Sequence, residues 1–146
     1  MAGTGDRDDE AWRAQRRDAA LEHAAALQRR KAAESTEAAG LLADFVRQAR
    51  ERGLPTTELR AQSASGATYR TGLRGWYLKR NRSLGVAEQG RYYHLDVPGS
   101  LVARFRGVTV EPTDPPLAVG VGARDGESRS MAELLQRRLE AGTSWG

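Results

Sequence analysis

The chain has 146 residues, 23 basic against 19 acidic side chains, a net charge of +4, a mean hydropathy of −0.64 and no cysteine. This length suits one domain, or one small domain with an extension. The composition excludes a disulfide scaffold, a cysteine-based zinc site, a cysteine nucleophile and an iron–sulfur centre. No run approaches the roughly 18 consecutive apolar residues of a membrane span, so no membrane partner is expected. Residues 1–10 lack the basic start and apolar centre of a secretory signal, and the expected location is cytoplasmic.

The charge is unevenly spread. Residues 1–53 are neutral overall, residues 54–107 carry +6 and residues 108–146 carry −2. All but two of the basic residues are arginine, the exceptions being Lys31 and Lys79. An arginine-rich and isoleucine-free alphabet follows from GC-rich coding, which discounts the basic region as a sign of phosphate binding.

Residues 6–52 read as a helix rich in Ala, Arg, Glu, Gln and Leu. Asp6 or Asp8 can cap its start, Gly53 suits its C-terminal cap, and Pro55 prevents continuation. Leu41, Leu42, Phe45, Val46 and Ala49 form an apolar stripe at helical spacing that requires a partner. Upstream, only Trp12, Leu21 and Leu27 interrupt an alanine and arginine background. Gly40 and the Ser35–Thr36 pair mark a potential kink. A heptad frame places Leu21, Gln28, Ser35, Leu42 and Ala49 at one position, a poor coiled-coil seam. Residues 6–34 therefore read as an arm, with Trp12, Leu21 and Leu27 as its candidate protein-interaction residues.

Beyond Gly53, Tyr, Val, Thr, Gly and Trp rise and helical periodicity stops. Thr57–Gln62 and Thr68–Thr71 read as short strands. Arg74–Lys79, Leu84–Ala87 and Arg91–Val97 follow as a three-stranded meander, with turns at Asn81–Ser83 and Glu88–Gly90. A short helix is expected over Leu101–Arg106, between Ser100 and Gly107, then strands at Val108–Val110 and Leu117–Val121. Ser130 and Glu133 form a capping box for a helix ending near Ala141, whose buried face is Met131, Leu134, Leu135 and Leu139. The fold class is α+β: a long N-terminal α-helix followed by a small, mostly antiparallel sheet with two short helices. The expected organisation is a helical arm over 1–53, a compact domain over 54–142 and a tail over 143–146.

The stretches Arg74-Gly75-Trp76-Tyr77-Leu78-Lys79-Arg80, Gly90 to Leu95, Pro115-Pro116-Leu117 and Arg124 to Ser128 resemble a type of small actinobacterial protein of no known activity. The resemblance covers about residues 53–140. It implies one intact domain and no substrate or site.

Side chains alternate across a strand. Trp76 and Leu78, with Tyr93, Leu95 and Val97, are expected to form one buried face of the meander. The other face would carry Tyr77, Lys79, Tyr92, His94 and Asp96, with Arg80, Arg82 and Arg91 at the turns. Exposed tyrosines beside cations on a sheet suit single-stranded nucleic acid, whose bases stack on rings while cations hold phosphates. The candidate nucleic-acid residues are thus Tyr77, Lys79, Arg80, Arg82, Arg91, Tyr92 and His94, and Arg104 and Arg106 could extend the patch. The plainer alternative is an ordinary amphipathic sheet.

Catalytic signals are sparse. Leu117 to Gly126 resembles a glycine loop before a helix, but its spacing departs from the dinucleotide fingerprint, and Asp125 and Glu127 would repel an anion. His94 and Asp96 share a strand face and could be joined by Ser63, Ser65 or Ser100, yet nothing places a serine on a strained elbow. Asp114, Asp125 and Glu127 lie in turn-forming sequence where aspartate is common anyway. No cofactor and no metal site are expected. The leading expectation is a binding module that uses its arm for association with another protein or with itself. A single-stranded nucleic-acid-binding protein is the alternative and a small enzyme the third reading.

Overall fold

The computed structural model describes residues 3–120 and 128–144, with side chains from residue 5 onward. The element order is α1 (Gly3–Glu51), β1 (Thr57–Gln62), β2 (Thr68–Tyr77), β3 (Leu84–Ala87), β4 (Tyr92–His94), α2 (Leu101–Arg106), β5 (Ala118–Val119), β6 (Arg129–Ser130) and α3 (Met131–Ala141). The fold is α+β, as the sequence pattern requires. The chain divides into two units, Met1–Glu34 and Ser35–Gly146. The division falls at residue 34 and not at the expected 53, because the stripe from Leu42 to Ala49 belongs to the core of the second unit.

In the first unit the described chain is helical and no residue from Gly5 to Glu34 is buried. Helix α1 runs through Gly40 without interruption. A single glycine costs only about 1 kcal/mol relative to alanine, too little to break a helix anchored by apolar packing on its C-terminal side.

In the second unit, α1 ends in a Schellman motif. The Leu54 N–H donates to Ala49 O (2.9 Å) and the Gly53 N–H to Arg50 O (3.0 Å), with Gly53 at φ +69°. This geometry satisfies two orphan carbonyls and turns Leu54 back onto the core.

The four larger strands form one antiparallel sheet in the order β1-β2-β3-β4. The two segments expected as separate strands, Thr68–Thr71 and Arg74–Lys79, merge into the single strand β2, which ends at Tyr77 and leaves Leu78 and Lys79 in the turn that follows. Glycine breaks the pattern because β2 carries a bulge there. Leu59 pairs with Leu73 but Arg60 pairs with Arg70, leaving Thr71 and Gly72 as extra residues, with Gly72 at φ +74°. After β4 the chain returns to β1. The Gln62 N–H donates to Leu95 O and the Val97 N–H to Gln62 O, both at 2.8 Å, in a parallel bridge between Gln62 and Asp96. The sheet therefore curls until its first and last strands meet. Regular pairing covers only Tyr92–His94 of the expected Arg91–Val97, and Val108–Val110 does not form a strand, although the Val108 N–H bonds to Arg70 O of β2.

Both faces of the curled sheet are covered. On the outer face, Trp76, Leu78, Leu84, Val86 and Tyr92 pack with Leu42, Phe45, Val46 and Ala49 of α1 and Met131, Leu134, Leu135 and Leu139 of α3. Phe45 meets Trp76 edge to face at 6.0 Å, and the Trp76 indole N–H donates to Leu54 O (3.3 Å). Each such side chain removed from water contributes about 1.5–3 kcal/mol. Inside the curl lie Leu59, Tyr77, Ala87, Tyr93 and Leu95. Gly85 keeps this interior open to Leu59 and Leu95, whose methyls stand 3.2 Å from where a Cβ would be. The expected caps of α2 and α3 are present: Ser100 accepts from the Ala103 N–H, and Ser130 from the Glu133 N–H.

Candidate binding surfaces

The β2–β3 connection is a tight, polar turn. The Arg82 N–H donates to Lys79 O (3.0 Å), with Arg82 at φ +60°. Asn81 Oδ1 accepts from both the backbone N–H and the hydroxyl of Ser83, at 3.1 and 2.6 Å. Gln62 ties the turn to the β1 end by donating to Asn81 O and to Asp96 Oδ1, both at 2.9 Å.

Two clefts flank this turn. One, of about 830 Å³, is lined on its polar side by Lys79, Arg80, Asn81, Arg129, Arg137 and Glu140. The other, of about 470 Å³, is lined by Arg60, Arg80, Arg82 and Arg138 with Glu58 and the edge of Tyr77. In each, four cations face one carboxylate among the described residues. Lys79, Arg80 and Arg82 of the expected nucleic-acid set are thus gathered here, and the sequence reading missed Arg60, Arg129, Arg137 and Arg138. Arg138 was detectable as a cation inside an apolar stripe, since it follows Leu134 by four residues and Leu135 by three. Its side chain is buried. Nε donates to Tyr77 O (2.9 Å) and Nη1 to Gly142 O (2.8 Å), and desolvation pushes the guanidinium down from its ordinary value.

The expected tyrosine face does not exist as a stacking platform. Tyr77 is 8% exposed and Tyr92 2% exposed. The strand register explains both. Trp76 pairs across with Val86 and Val86 with Tyr92, so Tyr92 joins Trp76 on the helix-covered face, and Tyr93 joins Tyr77 inside the curl. Burial pushes the Tyr92 phenol up to about 12, because no charge compensates the lost solvation of the phenolate.

Tyr77 has a structural task. The bulge in β2 deprives the Arg60 N–H and the Leu59 carbonyl of ladder partners. Tyr77 Oη accepts from the Arg60 N–H (2.9 Å) and donates to Glu58 O (3.4 Å). The Thr71 hydroxyl donates to Leu59 O and accepts from the Leu73 N–H. Outside, the Arg82 guanidinium lies 5.5 Å from the Tyr77 ring centre. The remaining expected residues lie apart from the clefts. Arg91 is exposed at the β3–β4 turn, and His94 is exposed on β4 with its ring against the edge of Tyr92 at 5.4 Å.

The groups considered for catalysis are engaged otherwise. Asp96 accepts from Gln62, Ser63 Oγ lies 2.8 Å from Ser65 Oγ, and Ser100 caps α2. Among the described residues no three His, Asp or Glu side chains are grouped for a metal. Residues 121–127, with most of the glycine loop and with Asp125 and Glu127, lie outside the described residues, as does Trp145.

On the arm, Trp12, Leu21 and Leu27 are all exposed, and Arg16 stacks over Trp12 at 4.7 Å. At about 100° per residue, Trp12 and Leu21 point to opposite sides of the helix and Leu27 lies about 60° from Trp12. They do not form a stripe. No described helix is long and apolar enough to cross a membrane. Comparison with family models, curated proteins and solved structures finds no match to this chain.

Proposed function

We propose that the protein is a cytoplasmic binding module whose helical arm, residues 5–34, associates with another protein. The observation that carries this reading is the solvation of the arm. It holds three of the six large apolar side chains exposed among the described residues, on a helix in which nothing from Gly5 to Glu34 is buried. Helices in proteins take most of their stability from tertiary packing, so a partner would order the arm as well as cover it. Because the three side chains point to different sides, the fitting partner surrounds the helix, as a bundle does, and a two-stranded zipper does not suit it. The test compares the full chain with a Trp12→Ser/Leu21→Ser/Leu27→Ser variant by light scattering and affinity capture. The variant is expected to have lower mass or to lose a captured protein. Unchanged mass and an unchanged set of captured proteins would refute the reading.

A second reading is supported by the two clefts. Their exposed cations, Arg80, Arg82 and Arg137, suit the phosphates of a single-stranded nucleic acid held through its backbone, without tyrosine stacking. Binding of a labelled oligonucleotide should weaken steeply with salt and should fall on Arg80→Glu. Anisotropy that stays flat at low salt would rule it out.

A further inference from the structure

The other three exposed large apolar residues lie together on α2. Leu101 is 76%, Val102 63% and Phe105 81% exposed, and none of the six residues of α2 is buried. Scattered surface apolar residues are ordinary, but three within one six-residue helix form a contiguous patch.

The helix is held firmly. The Ser100 N–H donates to Tyr69 Oη (3.1 Å), and this donor, with the Ser63 hydroxyl and the Arg104 charge, lowers the Tyr69 phenol from its ordinary value. At the other end Arg70 Nη2 donates to Phe105 O (3.1 Å) and the Val108 N–H to Arg70 O (2.8 Å). Gly107, at φ +79°, lies so close that an added Cβ would stand 2.7 Å from Arg70 O. The patch is displayed by an element fixed at both ends.

The charge on the helix itself is basic. Arg104 and Arg106 are the ionisable side chains of α2 and Arg70 packs against it, while the nearest acidic residues in sequence, Asp96 and Glu111, lie four or more residues outside the helix and Asp96 is bonded to Gln62. An occupant must be apolar where it meets Phe105 and anionic around it. A standard protein interface engages roughly 20–30 residues a side, far more than this six-residue helix offers. A bilayer surface needs only a few inserted apolar groups with cations at headgroup depth.

We propose that α2 is a peripheral docking element for anionic lipid surfaces. Leu101, Val102 and Phe105 enter the boundary between headgroups and acyl chains, while Arg70, Arg104 and Arg106 meet lipid phosphates and carboxylates. Three apolar residues in six do not register in a span-length sequence window, so the sequence held no sign of a membrane partner.

The test is co-sedimentation of the full chain with vesicles of phosphatidylcholine alone and with about 30% phosphatidylserine. Binding is expected only to the anionic vesicles and should weaken at about 0.5 M salt. Phe105→Ser and Leu101→Ser, both at exposed positions, should each lower the affinity about tenfold or more with an unchanged circular dichroism spectrum. Arg104→Glu/Arg106→Glu should abolish it. Absence of binding to anionic vesicles overturns the proposal. So does binding that survives the combined Phe105→Ser/Leu101→Ser substitution, which would place the contact on other cations. A Phe105→Ser variant that changes the vesicle-free mass instead would assign α2 to a protein interface and equally overturn it.

Discussion

Replacing Tyr77 by phenylalanine isolates a hydroxyl that the fold uses to complete its backbone pairing. The ring stays, so the curl's interior keeps its volume. What disappears is the acceptor of the Arg60 N–H and the donor to Glu58 O. With Tyr77 8% exposed, water has little access to replace it. Leaving one backbone donor unpaired costs about 1–3 kcal/mol. At a urea slope of about 2 kcal/mol per molar, the unfolding midpoint should fall by about 1 M with the slope unchanged. The matched control is Tyr92→Phe, expected to cost much less at neutral pH. A Tyr77→Phe midpoint equal to wild type would show that the bulge is satisfied in some other way. If Tyr77→Phe left stability intact while Tyr77→Ala reduced oligonucleotide affinity, the ring would have to be exposed, contrary to its placement.

Tyr92 gives an alkaline signature. Its folded pKa, about 12, lies above the ordinary value of 10.0. The raised value makes the folded state hold its proton longer, so this contribution is fully present below pH 10 and is lost as pH rises toward 12. The full loss is about 2–3 kcal/mol. Urea titrations between pH 9 and 11.5 should show the decline in wild type and a shallower one in Tyr92→Phe; parallel curves would contradict the burial. Two glycines should respond oppositely to alanine. A Cβ at Gly75 would stand 2.0 Å from Val86 O, so Gly75→Ala should cost on the order of 3 kcal/mol or prevent folding. Nothing lies within 4 Å of a Cβ at Gly40, and Gly40→Ala should stabilise α1 by about 0.5–1 kcal/mol, read from thermal melts.

The helices were legible because their ends are written in short-range chemistry. Ser100, Ser130 with Glu133, and Gly53 act on neighbours three or four residues away, and these three ends fall where the sequence places them; the start of α1 does not, since the helix already runs at Gly3 and Asp6 lies in its first turn instead of capping it. The sheet's faces were not legible, for a reason visible at Tyr92 and Tyr93. Two adjacent tyrosines present the same chemistry to either face, and only the cross-strand pairing of Val86 with Tyr92 decides between them. The expectation of a solvated face assumed an open sheet. The return of Leu95–Val97 to Gln62, which nothing local encodes, turns that second face into an interior. The basic clefts were half legible. Lys79, Arg80 and Arg82 share one turn, but Arg60, Arg129, Arg137 and Arg138 reach it only through tertiary packing.

The bridge between Gln62 and Asp96 also bears on how the chain acquires its structure. Hairpins β1–β2, β2–β3 and β3–β4 form between neighbours in sequence, whereas this bridge joins residues 34 positions apart. Loop-closure entropy makes it a late event on the folding path. Until it forms, the inner edges of β1 and of the 95–97 segment are unpaired templates for a strand from another molecule. The seam is therefore the point at which a nascent or destabilised chain is most exposed to aggregation, and substitutions that loosen it should lower the yield of folded protein before they alter any surface.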